Sequence, residues 1–186
     1  MGNEVQPCVL AAGDTMPDFH YDTPFAKDVS IAQTAKQAKW TAVLFLRYYG
    51  CTLCQYDIQR LAQQYDRITD KGGQALVVLQ SDPDKLAQQM TPDDLPFAIV
   101  CDPTEALYHR FSIKPAESMV KMADAKTMAK IAKATAAGIK HGDYEGDELQ
   151  LPAAFVMDEK CLIRYAHYGK SAGDVPDAQA LADLMN

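Results

Sequence analysis

Apolar residues gather along the chain in short runs whose spacing changes from run to run. The first strong run is Thr41-Ala42-Val43-Leu44-Phe45-Leu46-Arg47, apolar at both alternating sets of positions. A strand buried on both faces belongs inside a mostly parallel sheet. From about residue 52 to 71 the period lengthens. Cys54, Ile58, Leu61, Tyr65 and Ile68 recur at intervals of four and three, the stripe of an amphipathic helix that Gly72-Gly73 ends. Residues 74–80 (QALVVLQ) form a second buried strand, so the three pieces predict a right-handed βαβ unit.

Ser81-Asp82-Pro83-Asp84 caps a short helix to residue 90, and 97–101 is a third strand. Asp102-Pro103-Thr104-Glu105 has the acid, the early Pro and the Glu three residues on that open a helix, here one using Leu107, Tyr108 and Phe111. Residues 115–140 are an Ala-, Met- and Lys-rich helical stretch that His141-Gly142-Asp143-Tyr144-Glu145-Gly146-Asp147 breaks. Strands at 153–157 and 162–166 make an antiparallel hairpin over Asp158-Glu159-Lys160-Cys161. Asp174-Val175-Pro176 then starts a final helix with Leu181, Leu184 and Met185 inside. At the front, residues 1–12 read as a leader without periodicity. Pro17-Asp18-Phe19 opens an extended segment, and Asp28-Val29-Ser30 leads into a helix at 31–38. This order predicts an α/β, thioredoxin-like fold: a central mixed sheet flanked by helices, in one domain over residues 1–186. A helical insert at about 115–145 precedes the C-terminal β-hairpin.

The 186 residues are 48% hydrophobic and 23% charged, which excludes a disordered or fibrous chain. A formal charge of -7 and a pI near 5.0 argue against nucleic acid or an anionic membrane as partner. The first twenty residues carry Glu4, Asp14 and Asp18 around one short apolar run, Val9-Leu10-Ala11-Ala12, unlike a signal peptide. No stretch approaches the roughly 20 apolar residues of a membrane span. Five cysteines do not make a paired framework, so a reducing, cytoplasmic setting is expected. There, a close cysteine pair needs a chemical explanation.

Cys51-Thr52-Leu53-Cys54 lies where the first strand ends and the long helix begins. Residues three apart in a first helical turn can bring their sulfurs within disulfide range. The N–H groups and positive partial charge of a helix start favour thiolate over thiol. Cys51 falls at the cap and is expected to be exposed, whereas Cys54 belongs to the inward stripe. That asymmetry suits two-step redox chemistry. A metal site needs four ligands, and here there is no second cysteine pair, while His109, His141 and His167 are scattered. Plain packing of the two thiols is the other alternative. No cofactor is implied. Arg47 ends an otherwise apolar strand, where its charge is costly unless paired. Either it stabilises a nearby thiolate or substrate anion, or it is an exposed strand end.

Val43 to Cys54 (VLFLRYYGCTLC) resembles the active-site entry of the alkyl hydroperoxide reductase/thiol-specific antioxidant (AhpC/TSA) superfamily, whose peroxiredoxin-like branch carries G-C-x-x-C here. Gly13-Asp14, Pro17-Asp18-Phe19, Asp102-Pro103-Thr104, Gln150-Leu151-Pro152, Phe155-Val156-Met157-Asp158, Tyr165-Ala166-His167 and Ala172-Gly173-Asp174 extend the similarity over nearly the whole chain except residues 115–140. The resemblance implies a thiol-dependent oxidoreductase that reduces peroxides through a Cys51/Cys54 disulfide, with a thioredoxin-like protein or glutathione as reductant. The chain departs from P-x-x-x-T-x-x-C: Cys54 takes the attacking position, Cys51 replaces the Thr and Arg47 the Pro. Pro152 stands where the late Arg of a peroxiredoxin falls. The dithiol and a Pro facing it are thioredoxin features, so a cis Leu151–Pro152 bond is expected, although Phe45 occupies the place of thioredoxin's buried acid. By exposure Cys51 attacks first; by alignment, Cys54.

Catalytic candidates are thus Cys51, Cys54 and Arg47, and substrate-facing candidates are Tyr49, Leu151 and Pro152. Tyr48 and Tyr165 are further cleft residues, and His167 and Lys170 are surface ones. Cys101 is expected as a core thiol, Cys161 as an exposed turn residue and Cys8 as free in the leader. Lys126, Lys130, Lys133 and Lys140 are expected on a solvated face opposite Met119, Met122, Met128 and Ile131. Two rival readings stand beside the peroxidase. One is a disulfide reductase without peroxidase activity; the other is a non-catalytic binding or redox-sensing module using the Met-rich insert.

Overall fold

The computed structural model describes residues 6–186. In chain order the elements are β1 (His20–Tyr21), β2 (Val29–Ser30), α1 (Ile31–Ala35), β3 (Trp40–Phe45), α2 (Thr52–Gln63), α3 (Asp66–Thr69), β4 (Gly73–Leu79), α4 (Pro83–Ala87), β5 (Ala98–Cys101), α5 (Ala106–Arg110), α6 (Met119–Met122), α7 (Ala125–Ala136), β6 (Ala153–Asp158), β7 (Ile163–Tyr168) and α8 (Ala178–Leu184). The sheet order is β5-β4-β3-β6-β7. The strands β3, β4 and β5 run parallel, while β6 is antiparallel to β3 and β7 to β6. This is the mixed sheet the sequence pattern predicts, with the doubly apolar run at its centre.

Alternation along β3 feeds two cores. Trp40, Ala42, Leu44 and Leu46 pack with Cys54, Ile58, Leu61, Ile68 and Leu181, under α2, α3 and α8. Val43 and Phe45 face the other layer, with Ile31, Tyr108 and Phe111. Phe45, in the place of a buried acid, is edge-on to Tyr108, Phe111 and Phe155 at centroid distances of 5.2, 6.1 and 6.0 Å. A carboxylate would lack a polar partner among these rings.

Several boundaries move for identifiable reasons. The long helix breaks after Gln63, and α3 carries Ile68 to the core as a separate turn. Pro103 does not open α5. Glu105 takes a left-handed conformation (φ 59°), and the Asp102 carboxylate instead receives the N–H groups of Ala106 and Leu107 at 3.0 and 2.8 Å. Cys161 does occupy a glycine-like position (φ 63°), but it is buried rather than exposed. The segment before β1 covers it: Met16 N–H donates to the Cys161 carbonyl at 2.8 Å, and Gly13 N–H to Ile163. Of the leader, residues 1–5 lie outside the described residues. Further on, Leu10 is buried and Cys8 N–H reaches the Arg110 carbonyl at 2.8 Å.

The inserted helices keep the expected faces in part: Lys126, Lys133 and Lys140 are exposed, and Met122 and Ile131 pack inward. Met119, Val120 and Met128 are exposed, while Met122, Thr127 and Ala134 are buried. Lys130 points inward to Asp57 on α2, at 2.7 Å, with both side chains mostly buried. An ion pair of this kind outranks the apolar stripe because Asp57 otherwise has no counter-charge as close. Burial pushes the Asp57 carboxyl up and Lys130 counters it. Replacing Lys130 by Met should therefore lower stability by about 3 kcal/mol, the cost of stranding one member of a buried pair. Denaturant unfolding at neutral pH measures it, and Asp57→Leu in the same chain should restore most of the loss.

Candidate active site

β3 ends at Phe45, and the chain runs through Arg47 into the tight turn Tyr48-Tyr49-Gly50 before α2 begins. Cys51 is the N-cap of α2: its backbone is extended and its sulfur accepts the Cys54 N–H at 3.2 Å. The cap thus uses a sulfur where Ser or Asp is usual. The two sulfurs lie 2.6 Å apart, the Cys54 thiol donating to Cys51.

Arg47 is no exposed strand end. Its guanidinium donates from Nη2 to Cys51 Sγ at 3.1 Å and from Nη1 to the Glu148 carbonyl at 2.8 Å. Its own N–H approaches Cys54 Sγ at 3.4 Å. Burial alone would loosen the guanidinium proton, but the adjacent Cys51 and Cys54 sulfurs hold it more firmly than usual. The two thiols separate in acidity. Burial pushes Cys51 up, yet the Cys54 thiol, the Arg47 charge and the Cys54 N–H outweigh it, and its pKa is lowered to about 7. Burial pushes Cys54 well above the ordinary range, and the neighbouring Cys51 adds to the rise. Cys101 moves up to about 12, through burial and the charges of Asp82, Asp22 and Glu145.

Exposure does not distinguish the pair. Cys51 is 0% exposed and Cys54 4%, which corrects the expectation that Cys51 sits open at the cap. Across the turn before Cys51 lies the segment that the sequence pattern marks only as a helix breaker. α7 ends with Gly138 left-handed (φ 76°) and Ile139 N–H bonded back to the Ala134 carbonyl, which turns the chain toward the cysteines. Gly142 N–H donates to the Gly50 carbonyl at 2.8 Å, and Gln55 bridges that carbonyl and Lys140's at 3.1 and 3.0 Å. His141 Nδ1 lies 2.8 Å from the Gly142 carbonyl, which can only accept. Nδ1 therefore carries the proton and Nε2 accepts from the Tyr48 hydroxyl at 3.0 Å. Burial and the Glu148 carboxylate keep the Tyr48 phenol protonated. Ser81 donates to Glu145 at 2.7 Å, and Gln80 exchanges hydrogen bonds with the backbone of Asp147. One carboxylate oxygen of Glu148, Oε1, is buried with no hydrogen-bond partner among the described residues.

The other candidates fall around this centre unequally. The pairing of Phe45 with Ala153 brings Leu151 and Pro152 beside the end of β3. The Leu151–Pro152 bond is trans, contrary to expectation. Pro152 feeds directly into β6, its carbonyl accepting Gly169 N–H at 2.8 Å, so the ring packs on Gly169 within an extended strand entry. Tyr49 is half-buried, its N–H held by Ser81 Oγ at 2.9 Å, and its phenol is raised by burial and by Asp94. Tyr165 stacks on His167, and His167 pairs with Asp174 at 3.1 Å. The sequence pattern gives no sign that His141, Glu145 and Glu148 lie near the cysteine turn, because their relation to it spans about ninety residues of sequence. The cluster of Gly, Asp and Tyr at 142–147 is the one local trace of a segment folded back on a glycine turn.

The model of the AhpC/TSA family matches residues 12–166. No curated protein sequence aligns significantly with the chain. Among solved structures, the fold is similar to the peroxidoxin BcpB of Mycobacterium tuberculosis: TM-score 0.63, 11% identity, 95% of this chain and 94% of the other. It is similar to the thiol peroxidase of Chromobacterium violaceum, with TM-score 0.64 and 14% identity over 99% and 92% of the two chains. The reduced 2-Cys peroxiredoxin of Plasmodium vivax gives 0.65 and 13%, over 94% and 80%.

Proposed function

The chain belongs to the AhpC/TSA family, and from that premise we propose that it is a thiol-dependent peroxidase whose working pair is Cys51 and Cys54. The observation that carries this reading is the hydrogen bond from the Arg47 guanidinium to Cys51 Sγ, with the Cys54 thiol as a second donor. Both donors stabilise a thiolate on Cys51 and neither can stabilise one on Cys54 to the same degree. Cys51 is accordingly the attacking residue, Cys54 the resolving one and Arg47 the anion-stabilising group.

The Cys51 thiolate attacks the terminal oxygen of a peroxide, the O–O bond breaks, and the alcohol or water leaves after taking a proton. The resulting Cys51 sulfenic acid condenses with the Cys54 thiol, forming the disulfide and releasing water. Two equivalents of a thiol, from glutathione or a thioredoxin-like dithiol, return the pair to its reduced form by exchange. Arg47 also fits the first step, since a cation held 3.1 Å from Cys51 Sγ lies near the place where the leaving oxygen would gain negative charge. Leu151, Pro152 and Tyr49 border the same end of the sheet and are read as its substrate-facing rim. The dependence on free thiols favours a reducing compartment. Among the described residues no helix is long and apolar enough to cross a membrane.

The test treats reduced protein with stoichiometric hydrogen peroxide, and separately with a model disulfide, and maps the cysteines by mass spectrometry. Conversion to a Cys51–Cys54 disulfide by peroxide is the expected result. Slow reaction with peroxide beside ready exchange with the disulfide would assign the chain to disulfide reduction instead. Failure of both reagents to join the pair would leave a non-catalytic module.

A further inference from the structure

We propose that residues 140–148 determine the substrate range of the dithiol: seated, the segment admits peroxides about as small as hydrogen peroxide and excludes bulky hydroperoxides and protein disulfides. The proposal rests on the peroxidase reading above and adds to it the class of substrate.

Both cysteines are buried. One continuous stretch of chain lies across the turn that carries them and against Arg47. It is pinned at its start by Gly142 on Gly50 and by Gln55 on Lys140, in its middle by Glu145 on Ser81, and at its end by Asp147 on Gln80 and Glu148 on Arg47. The approach is close because the turn beneath lacks a side chain. A Cβ on Gly50 would overlap the Asp143 carbonyl oxygen and stand 2.8 Å from its nitrogen. Gly146 likewise lies against Gln80, in a left-handed conformation (φ 62°). The outer face of the segment is polar and bare. His141, Gly142, Asp143 and Tyr144 are exposed, Tyr144 to 71%, stacked on His141 at 4.2 Å.

A segment held by hydrogen bonds and by His141 and Tyr144 against the Tyr48 ring, with no strand pairing, opens at lower cost than the sheet. The size dependence follows. A molecule with two heavy atoms needs only side-chain breathing to reach a sulfur. An aryl hydroperoxide or a protein disulfide needs the segment to lift and several of these hydrogen bonds to break together. The thiol that restores the pair meets the same barrier according to its size.

Two variants test this. Gly50→Ala forces the segment off through its Cβ, and Glu145→Ala removes the bond to Ser81 without altering the cysteine turn. Rates of Cys51–Cys54 disulfide formation are compared for hydrogen peroxide and cumene hydroperoxide, and insulin serves as the protein disulfide. The wild-type pair should favour hydrogen peroxide. Both variants should raise the cumene hydroperoxide rate relative to that of hydrogen peroxide by about ten-fold, the equivalent of one or two lost hydrogen bonds. In Glu145→Ala the hydrogen peroxide rate should stay level. If Gly50→Ala loses its circular-dichroism signature of folding, Glu145→Ala carries the comparison alone. An unchanged ratio in a folded variant, or a wild-type pair equally fast with both peroxides, would overturn the proposal while leaving the peroxidase reading intact. A wild-type pair inert to hydrogen peroxide that reduces insulin would overturn both.

Discussion

Cys51→Ser should lose reaction with stoichiometric peroxide by on the order of a thousand-fold or more, the scale seen when the nucleophile of a covalent mechanism is removed. Cys54→Ser should keep the first step. Its serine hydroxyl can still donate to Cys51, and Arg47 is untouched, so a sulfenic acid should form and persist for want of a resolving thiol. Rapid quenching, alkylation and mass spectrometry distinguish the products: one added oxygen on Cys51 in the second variant, and no modification at Cys54 in the first. The opposite pattern, an inert Cys54→Ser beside a reactive Cys51→Ser, would assign attack to Cys54, the position that alignment with P-x-x-x-T-x-x-C selects. Geometry and alignment disagree here because Arg47 and Cys51 occupy the places of the family's pocket Pro and Thr. With a cation at 3.1 Å from Cys51 and the Cys54 thiol donating to the same sulfur, the negative charge is more stable one turn earlier on the chain.

Replacing Arg47 by Leu should move the pH dependence of the same reaction. Thiolate is the form present above the thiol pKa, so the wild-type rate should climb through pH 7 and level off above it, following the Cys51 value of about 7. Without the guanidinium the thiol should rise toward its ordinary value of 9.0. At pH 7 the thiolate fraction then falls from about one half toward about one hundredth, a loss of up to ~50-fold that disappears as pH approaches 10. Loss of a purely structural contact would lower the rate at every pH alike, which makes the profile the deciding readout. Arg47→Lys should fall between: it keeps the charge but cannot bridge Cys51 and the Glu148 carbonyl with one planar fork.

Much of this protein is legible without coordinates, and the reason is local. A run apolar on both faces has no place but the middle of a sheet, so β3 and β4 and the helix between them follow from the spacing of Val43, Phe45, Ile58, Leu61 and Val77 alone. A C-x-x-C at that strand–helix junction places two sulfurs together whatever the rest of the chain does. Arg47 is conspicuous as a charge ending an apolar run. What the pattern misreads are features settled by a distant segment. Cys161 has the backbone of an exposed turn and is buried because Gly13–Met16 pairs against the hairpin. Lys130 leaves the expected solvent face because Asp57, on another helix, lies within reach. Leu151–Pro152 is trans, and Pro152 leads into β6 beside Gly169.

The sequence by itself therefore determined the sheet, the helix that presents the cysteines, and the residue types of the reacting centre, since each depends on neighbours within a few positions. Only the tertiary structure decided how the centre works. Which thiol ionises depends on where the Arg47 guanidinium swings after the strand ends and on which of the two sulfurs receives the other's proton. Whether a substrate can reach either thiol depends on residues 140–148, about ninety positions downstream, lying across a glycine that leaves room for their backbone. Acidity and access are sums over everything packed around a sulfur, and no run of neighbouring residues contains that sum.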